Sequence, residues 1–213
     1  MEPVDRALLA RLGGPARVVC LPTAAGNEGE GRIGYWSRLG VEHFARLGAE
    51  AEAVRVIDRR SAEDASLAAR IRAANFVYLS GGKPKYLYQS LAGTATWRAI
   101  QDVLDGGGVV AGCSAGAMIF GERIPNWPIP WPMSTGFGLL PRSLVMPHFD
   151  EVPEQFVHAL KGVAGRRTLI GIDGDTALVA TDSTYRVAGR GAVTVWNRAG
   201  RRRFADGETV ALD

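Results

Sequence analysis

The chain has 213 residues, 46% apolar and 22% charged, with a formal net charge of +3. That supports a full hydrophobic core in a single domain, expected over residues 1–213, and excludes a disordered tail, a coiled coil and a collagen-like repeat. Its 22 arginines, against three lysines, are scattered along the chain except at Arg201, Arg202 and Arg203; this reads as solvated surface with a basic hairpin tip, and no nucleic-acid partner is expected.

In chain order, short apolar runs alternate with helical patterns through the first two thirds. Arg17 to Leu21 is a buried-strand run, and Ile33, Trp36, Leu39, Phe44 and Leu47 follow at helical spacing with Gly40 on the same side. Ala53 to Ile57 reads as the second strand. Ser61 with Asp64 three positions later reads as a capping-box start for a helix carrying Leu67 and Ile71. Phe76 to Leu79 is a third strand, a helix begins near Pro84, another runs around Trp97 to Leu104, and Val109 to Ala111 is a fourth strand. Such alternation implies right-handed crossovers and a mainly parallel sheet covered on both faces. Residues 125–132, PNWPIPWP, hold four prolines and cannot form regular helix, so a rigid loop or lid is expected there. From Thr168 onward, short strands (Leu169 to Ile172, Ala177 to Ala180, Tyr185 to Val187, Val193 to Trp196, Thr209 to Leu212) separated by Gly/Asp turns predict hairpins.

The sharpest chemical signal is Gly112-Cys113-Ser114-Ala115-Gly116, a G-x-S-x-G between the fourth strand and the helical AMIFGE. A nucleophile at such an elbow sits in a strained turn where flanking side chains would strike backbone, hence the glycines. Ser114 is the expected nucleophile, and the Ala115 N–H can face an oxyanion. Cys113, a better nucleophile by chemistry, loses by register: an elbow centred on it would need glycines at 111 and 115, where both residues are alanine. It reads as a small buried residue at the strand end.

Of three histidines, His43 lies on the apolar helix face and His158 on the wet side of its helix, while His148 closes the short strand Leu144 to Met146 after Pro147, where open α/β sheets place their sites. His148 is the expected general base. Gly81 and Gly82 end the third strand and can point backbone N–H groups at a ligand. A second glycine pattern, Gly29-x-Gly31-x-x-Gly34 with Asp58 beyond, fits a dinucleotide fingerprint. Residues 22–27 nevertheless displace it from the strand, and Glu28 and Glu30 would repel a pyrophosphate.

With these residues placed, the chain resembles the peptidase S51 family of aspartyl dipeptidases and cyanophycinases. The resemblance is carried by VVCLPTAA, LSGG, GCSAGAMIFGE, STGFGLLP leading into MPHFD, and IGIDGDTALV, in order over residues 17–181. It implies a class I glutamine amidotransferase-like fold, a three-layer α/β/α sandwich with C-terminal β-hairpins. It also implies Ser114 as nucleophile, His148 as base, and Gly82 with Ala115 as oxyanion donors. Two positions depart from the family pattern: Lys83 stands where Asn or Gln often follows the glycine pair, and Gly174 stands where the family carries its glutamate. Asp173 and Asp175 flank that glycine and are the candidate acids, Asp175 favoured because it follows the flexible residue; strand alternation requires at least one to leave extended geometry. Asp150 and Glu122 are the next carboxylates in line.

The expectation is therefore a serine peptidase acting on a small peptide, with Gly81, Gly82, Ala115 and Lys83 around the substrate and Lys83 and Lys85 as cations for an N-terminal Asp. Neither a metal nor a cofactor is expected. No apolar run reaches 18 residues, and Glu2, Asp5, Arg6 and Arg11 break the N-terminal stretch, so neither a membrane span nor a signal peptide is expected. Cys20 and Cys113 cannot build a disulfide framework or a Cys-rich zinc site, which suits a reducing cytoplasm. Two alternatives remain: a non-catalytic amidotransferase-like binding domain, motivated by Gly174, and an α/β-hydrolase esterase using Ser114, Asp150 and His158. The last two of those residues are only eight positions apart, too close for separate strand ends.

Overall fold

The computed structural model describes every residue except Trp127, Ser183 and Asp213. The chain divides into two compact units, Asp5–Ala117 and Met1–Val4 with Met118–Asp213. The helix α1 (Glu2–Leu9) opens the chain.

The first unit is built on a four-stranded, all-parallel sheet in the order β2-β1-β3-β4, from β1 (Arg17–Leu21), β2 (Glu50–Ala53), β3 (Phe76–Leu79) and β4 (Val109–Gly112). Strand alternation divides its apolar residues between two faces. Val18, Cys20 and Phe76 pack with Phe44 of α2 (Glu30–Arg46) and with Leu8, Leu9 and Tyr78 on one face. Val19, Leu21, Val77 and Leu79 point the other way and are equally buried, as are Ile71, Leu87, Ala99 and Ile100 of the remaining crossover helices. The sheet is thus the middle layer of an α/β/α sandwich.

Two local expectations are corrected. The apolar run Ala53 to Ile57 is not the second strand; β2 precedes it, with Arg17 in register with Glu50. The Val54 N–H still reaches the Cys20 carbonyl, but the Val56 N–H turns back onto the Val54 carbonyl at 2.8 Å. The chain therefore leaves the sheet, while Val54 and Val56 stay fully buried beyond it. Nor does Ser61 open a capping box with Asp64. Asp58 is the N-cap of the short helix α3 (Arg59–Ala62) and shares its box with Ser61, while Asp64 separately caps α4 (Ala65–Arg72) by accepting from the Ser66 and Leu67 N–H groups. The Asp58 carboxyl is held below its usual range chiefly by the Ser61 N–H and hydroxyl. Pro84 starts α5 (Pro84–Leu91), and the Thr94 side chain caps α6 (Ala95–Asp105).

The expected helix over AMIFGE is one turn, α7 (Ala115–Met118), followed by β5 (Gly121–Ile124). The second unit has a six-stranded mixed sheet in the order β12-β11-β8-β7-β5-β6 and a three-stranded antiparallel sheet in the order β13-β10-β9. Its further strands are β6 (Ser134–Thr135), β7 (Leu140–Pro147), β8 (Thr168–Ile172), β9 (Thr176–Thr181), β10 (Thr184–Gly189), β11 (Val193–Trp196), β12 (Arg201–Phe204) and β13 (Thr209–Val210). The expected hairpins are β9–β10 and β11–β12. Arg201, Arg202 and Arg203 lie on β12 and not at a hairpin tip, because the turn falls at residues 197–200, where the Asn197 N–H bonds to the Gly200 carbonyl. Within 125–132 the described residues form no regular helix, and Ile129 and Trp131 are exposed; Trp127 of that predicted loop lies outside the described residues.

The amphipathic α8 (Glu154–Ala164) buries Phe156, Val157, Leu160 and Ala164 against Leu144, Phe149 and Leu169. Phe149 lies directly over Gly171 of β8, where an added Cβ would come 2.3–2.5 Å from ring atoms. Gly171→Ala is therefore expected to destabilise the protein by about 1–3 kcal/mol through overpacking, seen as a lower urea midpoint, and Phe149→Leu in the same background should recover part of the loss.

Candidate active site

Parallel pairing brings three strand ends to one edge of the first unit. Leu21 of β1 is level with Leu79 of β3, which is level with Gly112 of β4. The loops that follow stay laced together: the Ser80 N–H bonds to the Leu21 carbonyl, the Cys113 N–H to the Leu79 carbonyl, and the Lys83 N–H to the Ala24 carbonyl at 2.8 Å. Brought to this edge are Gly81 and Gly82 after β3 and Cys113, Ser114 and Ala115 after β4.

Ser114 has φ 50°, a left-handed conformation that a residue with a Cβ adopts at a cost. The surrounding backbone imposes it. A Cβ on Gly112 would lie 2.4 Å from the Gly116 carbonyl group, and one on Gly116 would lie 2.3 Å from the Leu79 carbonyl oxygen. The glycines are thus there because strand, turn and helix touch backbone to backbone, leaving Ser114 half-buried at the tip. Gly82 is similarly constrained, with φ 141° and the Ala24 carbonyl 2.5 Å from any Cβ. Among the described residues, neither the Gly82 nor the Ala115 N–H has a hydrogen-bond partner.

Trp36 of α2 also borders this elbow, a contact the helical periodicity did not distinguish from core packing. Its ring atoms come within 3.1 Å of the point where a Gly81 Cβ would stand, and the Ser114 Cβ lies 3.4 Å from that same point. Lys83 and Lys85 are exposed and form no ion pair among the described residues. Gly29 precedes α2, and Gly31 and Gly34 lie within it facing open space, so no close backbone approach calls for glycine at those two positions. A shallow depression of about 400 Å³ lined by Arg55, Ile57, Asp58, Arg60 and Ser61 contains none of the expected site residues.

Burial pushes the Cys113 thiol up, with Tyr78 donating a partly offsetting hydrogen bond, and burial pushes Cys20 up to about 12. Both cysteines are free. His43 is spent in the fold, its Nε2 2.8 Å from the buried Asp5 Oδ2.

In the second unit, His148 follows β7 directly with φ 52° and ψ 43°, and its carbonyl accepts the Glu151 N–H at 3.0 Å to close the turn Phe149–Glu151. Buried Phe149 anchors that turn, while the His148 side chain is exposed. Arg201 stacks over Phe149 and Trp196, with its carbon 5.7 Å and 5.4 Å from the ring centroids. His158 is exposed, beside Glu154 and against the edge of Trp196.

The aspartates flanking Gly174 are otherwise engaged. Asp173 is buried, and its Oδ2 accepts from the Ala192 N–H at 3.0 Å and from Arg203 at 2.6 Å, while its Oδ1 is buried without a partner among the described residues. Asp175 does leave strand geometry, at φ 50°, but its exposed carboxylate bonds to the Met1 ammonium at 3.0 Å, which holds it below the usual carboxylate range. The turn does not close a hairpin, since β8 and β9 belong to different sheets. Glu122 pairs with Arg167 at 2.7 Å. No group of three His, Cys, Asp or Glu among the described residues could hold a metal ion, and no described helix is long and apolar enough to cross a membrane.

A serine elbow of this form, and the His148 strand end, fall inside the region matched by the family model for peptidase family S51, residues 1–188. The chain belongs to peptidase family S51. It is 30% identical over 199 residues to a cyanophycinase of Synechococcus elongatus, covering 87% of this chain and 60% of that protein. It is 32% identical over 166 residues to a cyanophycinase of Trichormus variabilis, covering 71% of this chain and 55% of that one. The chain thus spans less than two thirds of these curated relatives. A crystal structure of a peptidase from an acI-B1 Actinobacterium superposes with a TM-score of 0.88 at 32% identity, covering 99% of this chain and 90% of that one. A candidate peptidase E from Listeria monocytogenes EGD-e, 19% identical with a TM-score of 0.68 over 90% and 94% of the two chains, shares the fold.

The raised pKa of both thiols, Cys20 buried and Cys113 half-buried, has a direct chemical consequence. At pH 8 native protein should react slowly with a disulfide thiol reagent, because little thiolate forms at raised pKa, and should release two equivalents quickly once unfolded in guanidinium. A fast single equivalent from the native protein would contradict the raised pKa of Cys113.

Proposed function

We propose that this S51 protein is a serine peptidase that hydrolyses short peptides through an acyl-enzyme. The observation that carries the reading is Ser114 held at φ 50° between two backbone-packed glycines, with N–H groups at Ala115 and Gly82 on the same sheet edge that have no partner among the described residues. In this reading the Ser114 Oγ attacks the scissile carbonyl carbon while His148 takes the hydroxyl proton. The tetrahedral oxyanion is met by the Gly82 and Ala115 N–H groups, each such donor contributing about 3 kcal/mol to the transition state. Collapse expels the amine, which takes the proton back from His148, and water then frees the acyl group by the same route.

Labelling decides between this enzyme and a non-catalytic amidotransferase-like domain. A fluorophosphonate probe should modify the wild type and not Ser114→Ala, which should lose hydrolysis while unfolding at the same denaturant concentration. Cys113→Ala should keep most of the activity. An inactive Cys113→Ala, with a wild type indifferent to serine reagents and killed by thiol reagents, would transfer the role to the cysteine.

For the substrate we infer dipeptides or tripeptides, with an N-terminal Asp preferred. This rests on Lys83 and Lys85, exposed beside the glycine pair and without an ion pair among the described residues, since a partly buried carboxylate needs a cationic or N–H-rich partner. Asp-Leu should be cleaved at higher kcat/KM than Ala-Leu or Lys-Leu; equal rates on all three would remove the acidic preference and leave the acyl-enzyme route intact. A second reading, cleavage of cyanophycin, is favoured by the two cyanophycinase relatives, and peptide release from that polymer in the same assay would establish it. Both free cysteines suit the reducing, cytoplasmic setting we infer for this peptidase.

A further inference from the structure

We propose that Arg32 and Trp36 of α2 form a wall beside Ser114 that binds a carboxylate of the substrate, an inference that rests on the reading of Ser114 as the nucleophile. The wall borders the elbow directly. Trp36 Cζ2 and Cη2 each lie 3.1 Å, and the Ser114 Cβ 3.4 Å, from the one point where a Gly81 Cβ would stand, so the indole edge and the serine meet across a bare glycine. That edge adjoins Nε1, whose N–H is buried with no hydrogen-bond partner among the described residues. A buried donor without an acceptor is costly, and beside a reaction centre a ligand can supply the missing oxygen once the ring turns to meet it.

A second set of donors stands one turn earlier on the same helix face. The Arg32 guanidinium carbon lies 5.9 Å from the Trp36 ring centroid and 5.5 Å from that of Tyr35, and the two rings meet edge to face at 5.3 Å. Two aromatic rings thus orient a cation whose side chain is 56% exposed. Its one ion pair among the described residues runs from Nε to Glu28 at 3.6 Å, longer than a hydrogen bond, and neither Nη is hydrogen-bonded. Glu30, the other acid at the start of α2, is spent on Arg55 at 2.6 Å. A planar guanidinium with both Nη groups open, next to an indole N–H without an acceptor, matches an anion with two acceptor oxygens. A short peptide carries such a group at its C-terminus, and a second on its side chain where the N-terminal residue is Asp.

Binding to ¹⁵N-labelled Ser114→Ala tests the wall without turnover. Saturating Asp-Leu should move one indole N–H resonance downfield, the one that disappears on adding Trp36→Phe. In the same background Arg32→Gln and Trp36→Phe, each unfolding at the unchanged urea concentration, should each weaken Asp-Leu binding about tenfold or more. Arg32→Lys, which keeps the charge without the fork, should restore part of it. Asp-Leu amide and Asn-Leu identify the source: the peptide lacking the carboxylate that is read should bind equally well with and without Arg32→Gln. An unmoved Trp36 resonance, a loss from Arg32→Gln that is equal for all three peptides, or no binding of any of them would overturn the wall. Fluorophosphonate labelling of the wild type reports separately on Ser114, so a labelled enzyme whose Trp36 resonance stays unmoved keeps its nucleophile and loses only this assignment.

Discussion

The close approach of backbone to backbone at Gly112, Gly116 and Leu79 is the constraint on which the serine site depends. Three chain segments meet at carbonyl-to-Cα range, which only residues without a Cβ allow. The strand turns sharply into α7, and Ser114 sits in a left-handed conformation. The strain is local, and the parallel register of β1, β3 and β4 holds it in place by fixing where each strand ends. The same principle recurs at Gly82 against Ala24 and at Gly171 beneath Phe149. The features read as chemistry therefore stand on ordinary close packing.

Much of this could be read from the residues. The glycine-flanked serine, the four-strand alternation and the terminal hairpins each carry a local signal: a motif at a strand-to-helix junction, a periodicity, a turn composition. The second strand was misplaced because apolar content marks burial and not pairing; Val54 and Val56 are buried after the chain has left the sheet. Asp58 and Ser61 form a capping box with the hydroxyl at N3, the reverse of the usual serine-first pattern. The boundaries between the two compact units fall within α1 and α7, with no linker composition to announce them.

The partners of the carboxylates around Gly174 were least legible for a physical reason. Proximity in sequence to Gly174 pointed to Asp173 and Asp175, but which carboxylate is spent is decided by partners distant along the chain. Arg203 and Ala192 take Asp173, and an ammonium 174 positions away takes Asp175. Asp150 reaches Gly174 from 24 positions back through a side-chain bond that no periodicity encodes. Trp36 is a similar case, since helical spacing identifies a buried face and does not say that its ring borders a serine elbow.

The two outermost strands of the six-stranded sheet differ in length and charge. At one end β6 is only two residues long; at the other, β12 carries Arg201, Arg202 and Arg203 in succession. A strand at the margin of a sheet has unpaired amides that invite another chain to add on, and shortness or a row of cations discourages it. The arginine triplet thus guards against edge-to-edge aggregation: a further strand would have to bring its backbone against three guanidinium groups, of which Arg201 and Arg203 also fasten the margin inward through Glu154 and Asp173.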